Sequence, residues 1–210
     1  MKMNNMSSCT LSKLRKLVAT LPLGRLTQGN HANDDPNCCV LEAISLCRGY
    51  VDKTDNPAVL ELPDIRGLND ADWPNGKSRT ANMLRVVDAI YDWKDWPDQR
   101  KDLFVQLLLI RCSTHIVSGM RGLSKAVVER LKRVKTAKGA IGAVLDCSVG
   151  SAGVDRMIMA CHNTGASAAD DAISAVLYFC QSVVDNTRLG APILAVDTVV
   201  ACAKESKNAQ

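Results

Sequence analysis

The residue types best suited to chemistry are concentrated in the stretch 29–43, which holds His31, Cys38, Cys39 and Glu42. Both cysteines fall in the first turn of a predicted helix, where unpaired N–H groups and the positive end of the helix dipole favour a thiolate. His31 could then act as the base that activates Cys38 or Cys39, and Glu42 or Asp34 could orient the imidazole ring. This pattern allows a thiol-dependent enzyme with His31, Cys39 and Glu42 as its catalytic residues.

The same residues also have a structural interpretation. Asn37 would cap the helix, a cysteine would pack in the core, Glu42 would face water, and His31 would form hydrogen bonds within its own loop. Cysteines in apolar helices are packed far more often than they are catalytic. The sequence favours this interpretation, and whether the protein is an enzyme stays open.

A metal site is the next alternative, because Cys112 and His115 stand three residues apart and would share one face of a helix. His31, Cys38 and Cys39 could complete a tetrahedral zinc site if two helices met. However, no second C-x-x-C or H-x-x-x-H element occurs in the chain. We therefore predict no metal ligands and no cofactor.

A basic segment runs from Arg121 to Lys138, with seven basic residues against Glu129 alone. The candidate nucleic-acid-binding residues are Arg121, Lys125, Arg130, Lys132, Arg133 and Lys135. Such residues along one helix could neutralise the phosphates of a nucleic acid. Alternatively, they form a solvated face that is balanced by the acidic block between Asp52 and Asp98. The helix lacks the interleaved aromatic residues that stack on single-stranded bases.

Short motifs follow one another between residues 26 and 85. They are Gly29-x-His31, Cys39-Val40-Leu41-Glu42-Ala43, Pro57, Leu68-Asn69-Asp70 and Arg79-Thr80. The series resembles an uncharacterised family of small helical proteins from bacteria and their phages, and Cys38 departs from its pattern as a second thiol. The resemblance implies no known activity, but it implies that six side chains converge in one polar cluster between helices. These are His31, Cys39, Glu42, Asn69, Asp70 and Arg79.

Composition bounds the class of protein. The chain has 210 residues, of which 47% are hydrophobic and 23% charged, as in an ordinary globular protein. Aromatic residues make up only 4%, which favours packed helices over a β-sandwich.

The nine cysteines are an odd number, which suits free thiols in a reducing compartment. No apolar run approaches the roughly 18 to 20 residues that cross a bilayer, and the polar N-terminus is unlike a signal peptide. We expect a cytoplasmic protein that does not contact a membrane.

Apolar residues recur at helical spacing along most of the chain, and no alternating pattern with hairpin turns appears. The sequence predicts an all-α fold, a single globular bundle of about seven or eight helices in one domain, 1–210. A polar, loop-rich part would occupy 24–77 and a compact helical part 78–204. The most apolar stretch, Leu103 to Val117, is expected at the centre of the bundle.

The preferred hypothesis is a cytoplasmic binding or interaction protein of unknown partner, because it requires no catalytic geometry. A thiol-dependent enzyme and a nucleic-acid-binding protein are the alternatives. A protein partner and a nucleic acid both remain candidates, and the sequence does not indicate the oligomeric state.

Overall fold

The computed structural model describes residues 9–147, 151–183 and 190–209. Within these ranges the regular structure is helical and includes no strand, which confirms the all-α prediction. The α-helices are α1 (Leu11–Thr20), α2 (Val40–Cys47), α3 (Pro57–Leu60), α4 (Arg66–Asn69), α5 (Gly76–Ile90), α6 (Asp98–Arg111), α7 (Lys125–Lys132), α8 (Ala137–Leu145), α9 (Ser151–His162), α10 (Gly165–Val183) and α11 (Ala191–Asn208). They outnumber the prediction because α3 and α4 lie in the part expected to be loops, and because the basic segment continues into a separate helix.

Side-chain caps fix where several helices begin. The Thr10 hydroxyl accepts a hydrogen bond from the backbone N–H of Lys13 at the start of α1, and Asn75 does the same for Ser78 in α5. For α2 the capping residue is Cys39, so the prediction that Asn37 caps this helix was wrong. Asn37 instead hydrogen-bonds the Asp35 carboxylate within the preceding loop.

Helix α6 lies at the centre of the helical part, as its apolar sequence predicts. It packs against α8, α10 and α11, and Phe104 and Leu108 on it are fully buried. Trp93 and Trp96 cover the beginning of α6, with ring centroids 5.7 and 5.8 Å from that of Phe104. Both tryptophans are buried, so they contribute to the core and not to an exposed contact surface.

The loop-rich part is joined to the helical part through a common core. Buried side chains from both parts, such as Leu41 and Leu68 with Phe104 and Phe179, belong to one hydrophobic cluster. Helix α4 contacts α2, α5, α10 and α11. Because α4 is held against these four helices, the polar residues at its end have a fixed position next to the start of α2.

A disulfide joins Cys9, just before α1, to Cys47, the last residue of α2. The prediction of free thiols was therefore wrong for this pair, which is separated by 38 residues in the sequence. Spacing could not identify it, since the pairing depends on how α1 packs against α2. The other seven cysteines are free.

None of the helices in the described ranges combines the length and the apolar character that crossing a bilayer requires. The predicted cytoplasmic location stays a prediction.

Candidate functional site

The candidate site begins at the N-terminus of α2, where Cys39 and Glu42 form a capping box. The backbone N–H of Cys39 donates to Glu42 Oε2 at 2.7 Å, and the N–H of Glu42 donates to Cys39 Sγ at 3.5 Å. The three-residue spacing places the two side chains so that each satisfies the other's backbone donor. Helix α2 therefore starts with a carboxylate inside the protein, since Glu42 is fully buried.

His31 reaches the same carboxylate from the preceding loop. Its backbone N–H donates to Glu42 Oε1 at 2.6 Å, and its Nδ1 lies 2.7 Å from Oε2. Together with the Cys39 N–H, these contacts give the buried carboxylate three N–H donors. A buried carboxylate requires such partners because it has lost its hydration, so the expectation that Glu42 faces water was wrong.

The other ring nitrogen of His31 is also engaged. Nε2 lies 3.0 Å from the hydroxyl oxygen of Thr27, and that hydroxyl is also 3.1 Å from the carbonyl oxygen of Cys38. Both nitrogens of the imidazole therefore contact oxygen atoms, and neither is left to activate a thiol. The structure does bring His31, Cys39 and Glu42 together, but the imidazole is bound by Glu42 and Thr27.

The two thiols of this region are buried, and burial changes their acidity. Loss of hydration raises the pKa of Cys39 to about 12, and it also raises the pKa of Cys38. Desolvation thus opposes the lowering of the thiol pKa that a helix N-terminus favours. At neutral pH, both thiols are protonated.

Asn69, the last residue of α4, and Asp70, which follows it, are the next two members of the predicted cluster. Asn69 Nδ2 donates to the carbonyl oxygen of Thr27 at 2.9 Å and to Asp70 Oδ1 at 2.8 Å. Asp70 Oδ1 also accepts from the backbone N–H of Gly29 at 2.9 Å. The amide oxygen of Asn69 is 3.4 Å from the N–H of Val40. Thus α4 is tied both to the loop that carries His31 and to the first residue of α2.

Arg79, on α5, is the last member of the cluster along the chain. Burial lowers the pKa of Arg79, and the negative charge of Asp70 opposes this effect. Its Nε is buried without a hydrogen-bond partner. The next residue, Thr80, accepts the backbone N–H of Leu26 at 2.9 Å. Arg79 is therefore linked to Asp70 by charge, while the other members are connected by hydrogen bonds.

A pocket of about 300 Å³ lies beside this network. Its polar lining comes from Asn30, Asp55, Arg66, Asn69 and Asp70, together with Cys39 and Val40. Sequence reasoning missed Asn30, Asp55 and Arg66, since they lie in segments without a recognisable pattern. The sequence indicates these three residues only by their type, because each has a side chain that can bind a polar ligand.

The charges around the pocket do not balance. The Arg66 side chain donates three hydrogen bonds to the carboxylate of Asp64, from Nε to Oδ1 at 3.0 Å and to Oδ2 at 3.1 Å and from Nη2 to Oδ2 at 2.7 Å. The hydrogen bond to Asp64 raises the pKa of Arg66. The guanidinium is 3.9 Å from the carboxylate of Asp55. Asp55, Asp64 and Asp70 thus place three carboxylates at or beside the pocket against the guanidinium groups of Arg66 and Arg79, and the balance of these five groups is one negative charge.

The basic segment, 121–138, is arranged differently from the prediction. Its residues do not share one helix, since α7 ends at Lys132 and α8 begins at Ala137. All seven basic side chains are exposed. Arg130 forms an ion pair with Asp146 at 2.9 Å. The acidic residues between 52 and 98 form ion pairs elsewhere, for example Asp64 with Arg66 and Glu61 with Lys94.

The part of the chain that the structure describes holds no group of three or more His, Cys, Asp or Glu residues that could bind a metal. Cys112 is fully buried, whereas His115 is exposed and its Nδ1 lies 2.6 Å from the hydroxyl oxygen of Thr114. The backbone forms a π turn from Cys112 to Ile116. The predicted pairing of Cys112 and His115 on one face is therefore not seen.

No family model, curated protein or solved structure matches this chain. The resemblance to the bacterial and phage family stays a prediction, and function is inferred from the geometry alone.

Proposed function

We propose that the protein is a binding protein whose pocket takes a small ligand, or a side chain of a partner, carrying a protonated amine or guanidinium group. One observation carries this proposal. Asp55 and Asp70 both line the pocket, while the guanidinium of Arg66, which is 3.9 Å from the Asp55 carboxylate, is hydrogen-bonded to Asp64. Three carboxylates, those of Asp55, Asp64 and Asp70, stand against the two guanidinium groups of Arg66 and Arg79, and this net negative charge favours a cation.

The hydrogen-bond network supports binding because it orients Asp70 before any ligand arrives. The N–H of Gly29 and the amide of Asn69 both donate to Oδ1 of Asp70. A cation bound at the other oxygen, Oδ2, would break neither bond. Such preorganisation reduces the entropy lost on binding.

The size of the pocket supports a small ligand. A volume of about 300 Å³ stands at the lower end of the roughly 300 to 1,000 Å³ of small-molecule sites. The lining is more polar than in most such sites, so hydrogen bonds and charge would contribute more to affinity than apolar burial. An amine-bearing metabolite and a lysine or arginine side chain share this chemistry.

The same observations weaken the case for a thiol-dependent enzyme. Nucleophilic attack requires a thiolate and a base. The thiol of Cys39 is buried with its pKa raised to about 12, and both nitrogens of His31 contact oxygen atoms. The cluster of His31, Cys39 and Glu42 is better suited to holding the wall of the pocket than to catalysis.

The proposal is tested by isothermal titration calorimetry with spermidine and arginine as cationic probes and with glutamate and glycerol as comparators. We expect binding of a cationic probe and none of the comparators. Asp70→Asn and Asp55→Asn keep the size of each side chain but remove its charge, and each should weaken binding roughly tenfold, because a charge-assisted hydrogen bond is lost. Asp88→Asn, at an exposed position of α5, is the matched control and should bind like the wild type.

Two results would overturn the proposal. One is equal heat from glutamate and from the cationic probes. The other is a cation affinity that Asp70→Asn, Asp55→Asn and Asp88→Asn all leave unchanged, since the cation would then bind elsewhere.

A further inference from the structure

The positive charge of the protein is concentrated in one short segment. Residues 125–138 contain six basic residues and one acidic residue, whereas the whole chain has a net charge of only +4. Outside this segment the chain therefore carries a net charge of −1. We define the basic surface by six side chains, Lys125, Arg130, Lys132, Arg133, Lys135 and Lys138.

The fold presents these cations to solvent. Leu131 on α7 is fully buried and attaches the helix to the core, and Val127 and Val134 pack against the same core. The six basic side chains are all exposed. Helices α7 and α8 are joined by residues 133–136, so the cations are spread over the end of one helix, a short connection and the beginning of the next.

Little acidic charge covers the basic surface. Arg130 is paired with Asp146. Within the described ranges, no ion pair involves Lys125, Lys132, Arg133, Lys135 or Lys138. Holding five unpaired cations close together costs electrostatic energy, which a polyanion bound across them would relieve.

The kind of polyanion follows from what the surface lacks. Residues 121–147 contain no Trp, Tyr or Phe, so this segment supplies no aromatic ring on which bases could stack, as they do in single-strand binding proteins. Contacts would therefore be made to phosphates, which carry no sequence information. A duplex offers the denser phosphate charge, one per about 1.7 Å of helix axis.

We propose that the basic surface binds the phosphate backbone of double-stranded nucleic acid without sequence specificity. This inference is independent of the pocket and of its ligand. An anionic membrane and an acidic protein are the competing partners for such a surface. A membrane would also use exposed apolar side chains between the cations, but Val127 and Val134 are partly buried in the core.

The test is fluorescence anisotropy with a labelled 24-base-pair DNA duplex of arbitrary sequence. We expect binding at 50 mM KCl that weakens roughly 100-fold at 200 mM, as for about four neutralised phosphates. The triple variant Lys125→Gln, Lys132→Gln, Lys135→Gln should lose at least about tenfold in affinity, and the slope of log K against log salt should fall by roughly 2 to 3.

The matched control removes the same net charge from exposed lysines elsewhere, Lys16→Gln, Lys77→Gln and Lys204→Gln, and should retain its affinity within about twofold. A second triple variant, with arginine in place of Lys125, Lys132 and Lys135, should bind like the wild type. Since this variant preserves charge, it separates loss of phosphate contacts from loss of the fold.

Four results would overturn the inference. The first is no binding at 50 mM KCl, and the second is an equal loss of affinity in both glutamine triples. The third is tighter binding to a single strand of the same length. The fourth is tighter binding to vesicles of phosphatidylcholine and phosphatidylserine in a 4:1 ratio, which would assign the surface to a membrane.

Discussion

His31 binds the carboxylate of Glu42 twice, with its backbone N–H 2.6 Å from Oε1 and its Nδ1 2.7 Å from Oε2. The two residues are 11 positions apart in the sequence, and this double contact attaches a polar loop to the first turn of α2. A histidine and a glutamate that resemble a base and its orienting carboxylate thus join two parts of the fold. The same contacts hold the loop that contributes Gly29 and Asn30 to the pocket.

The first prediction concerns the buried carboxylate. Glu42→Gln places an NH₂ group where an oxygen accepts N–H donors, so at least one donor loses its partner. We expect the free energy of unfolding to fall by about 2 to 3 kcal/mol, measured by urea denaturation. The control is Glu205→Gln, which breaks a half-exposed ion pair with Arg111 and should cost less than about 1 kcal/mol. Equal losses in both variants would contradict the role assigned to Glu42.

The second prediction concerns thiol reactivity. A thiol with a pKa of about 12, as burial gives Cys39, has roughly a thousandth of the thiolate of an ordinary cysteine at neutral pH. Cys39 should therefore react with iodoacetamide far more slowly than a free model thiol, and also more slowly than the exposed Cys161. Mass spectrometry of peptides after timed alkylation measures both rates. A rate for Cys39 above that of the model thiol would restore the catalytic hypothesis.

The third prediction concerns pH. Asp170 on α10 accepts a hydrogen bond from the backbone N–H of Asp64, and burial raises its pKa to about 6. Between about pH 4 and 6, the native state keeps this proton while the unfolded chain has lost it. The contribution of protonated Asp170 to the free energy of unfolding is therefore fully present below pH 4, and it is lost as the pH rises through 6.

Asp170→Asn should remove this dependence. We expect the stability of the variant relative to the wild type to increase by roughly 1 to 2 kcal/mol from pH 4 to 7, as followed by urea denaturation at several pH values. Asp155→Asn, at an exposed position of α9, should leave the pH profile unchanged. If the Asp170→Asn profile parallels that of the wild type, the proton is not held at this residue.

The fourth prediction compares two helical glycines. A Cβ atom at Gly153 on α9 would lie 2.5 Å from Cδ1 of Tyr178 and 2.7 Å from Cζ of Phe179, whereas one at Gly142 on α8 would meet nothing within 4 Å. Gly153→Ala should therefore destabilise the protein by about 1 to 3 kcal/mol through overpacking. Gly142→Ala should stabilise it by up to about 1 kcal/mol, because alanine is the better helix former. Thermal unfolding measures both changes, and a stabilising Gly153→Ala would show that the space between α9 and α10 accommodates a methyl group.

The sequence alone determined the interactions between residues that are close to one another in the chain. Apolar residues three and four apart predict helices because such residues share one helix face, and α1, α5 and α6 lie close to where that spacing places them. The thiol and carboxylate of the α2 capping box belong to residues three positions apart. The types and spacing of Cys39 and Glu42 are therefore sufficient to indicate that contact. The presence of candidate polar residues in 29–43 could be read in the same way.

Distances between remote segments and the burial of each group were decided only by the tertiary structure. The Cys9–Cys47 disulfide spans 38 residues, and the Asn69 amide reaches Thr27 across 42. Asp55 and Arg66 enter the pocket only because α4 packs between α2 and the helical part. The raised pKa of Cys39 depends on the tertiary structure as well. A helix N-terminus can be predicted from sequence, whereas the loss of water around a thiol depends on every element packed over it.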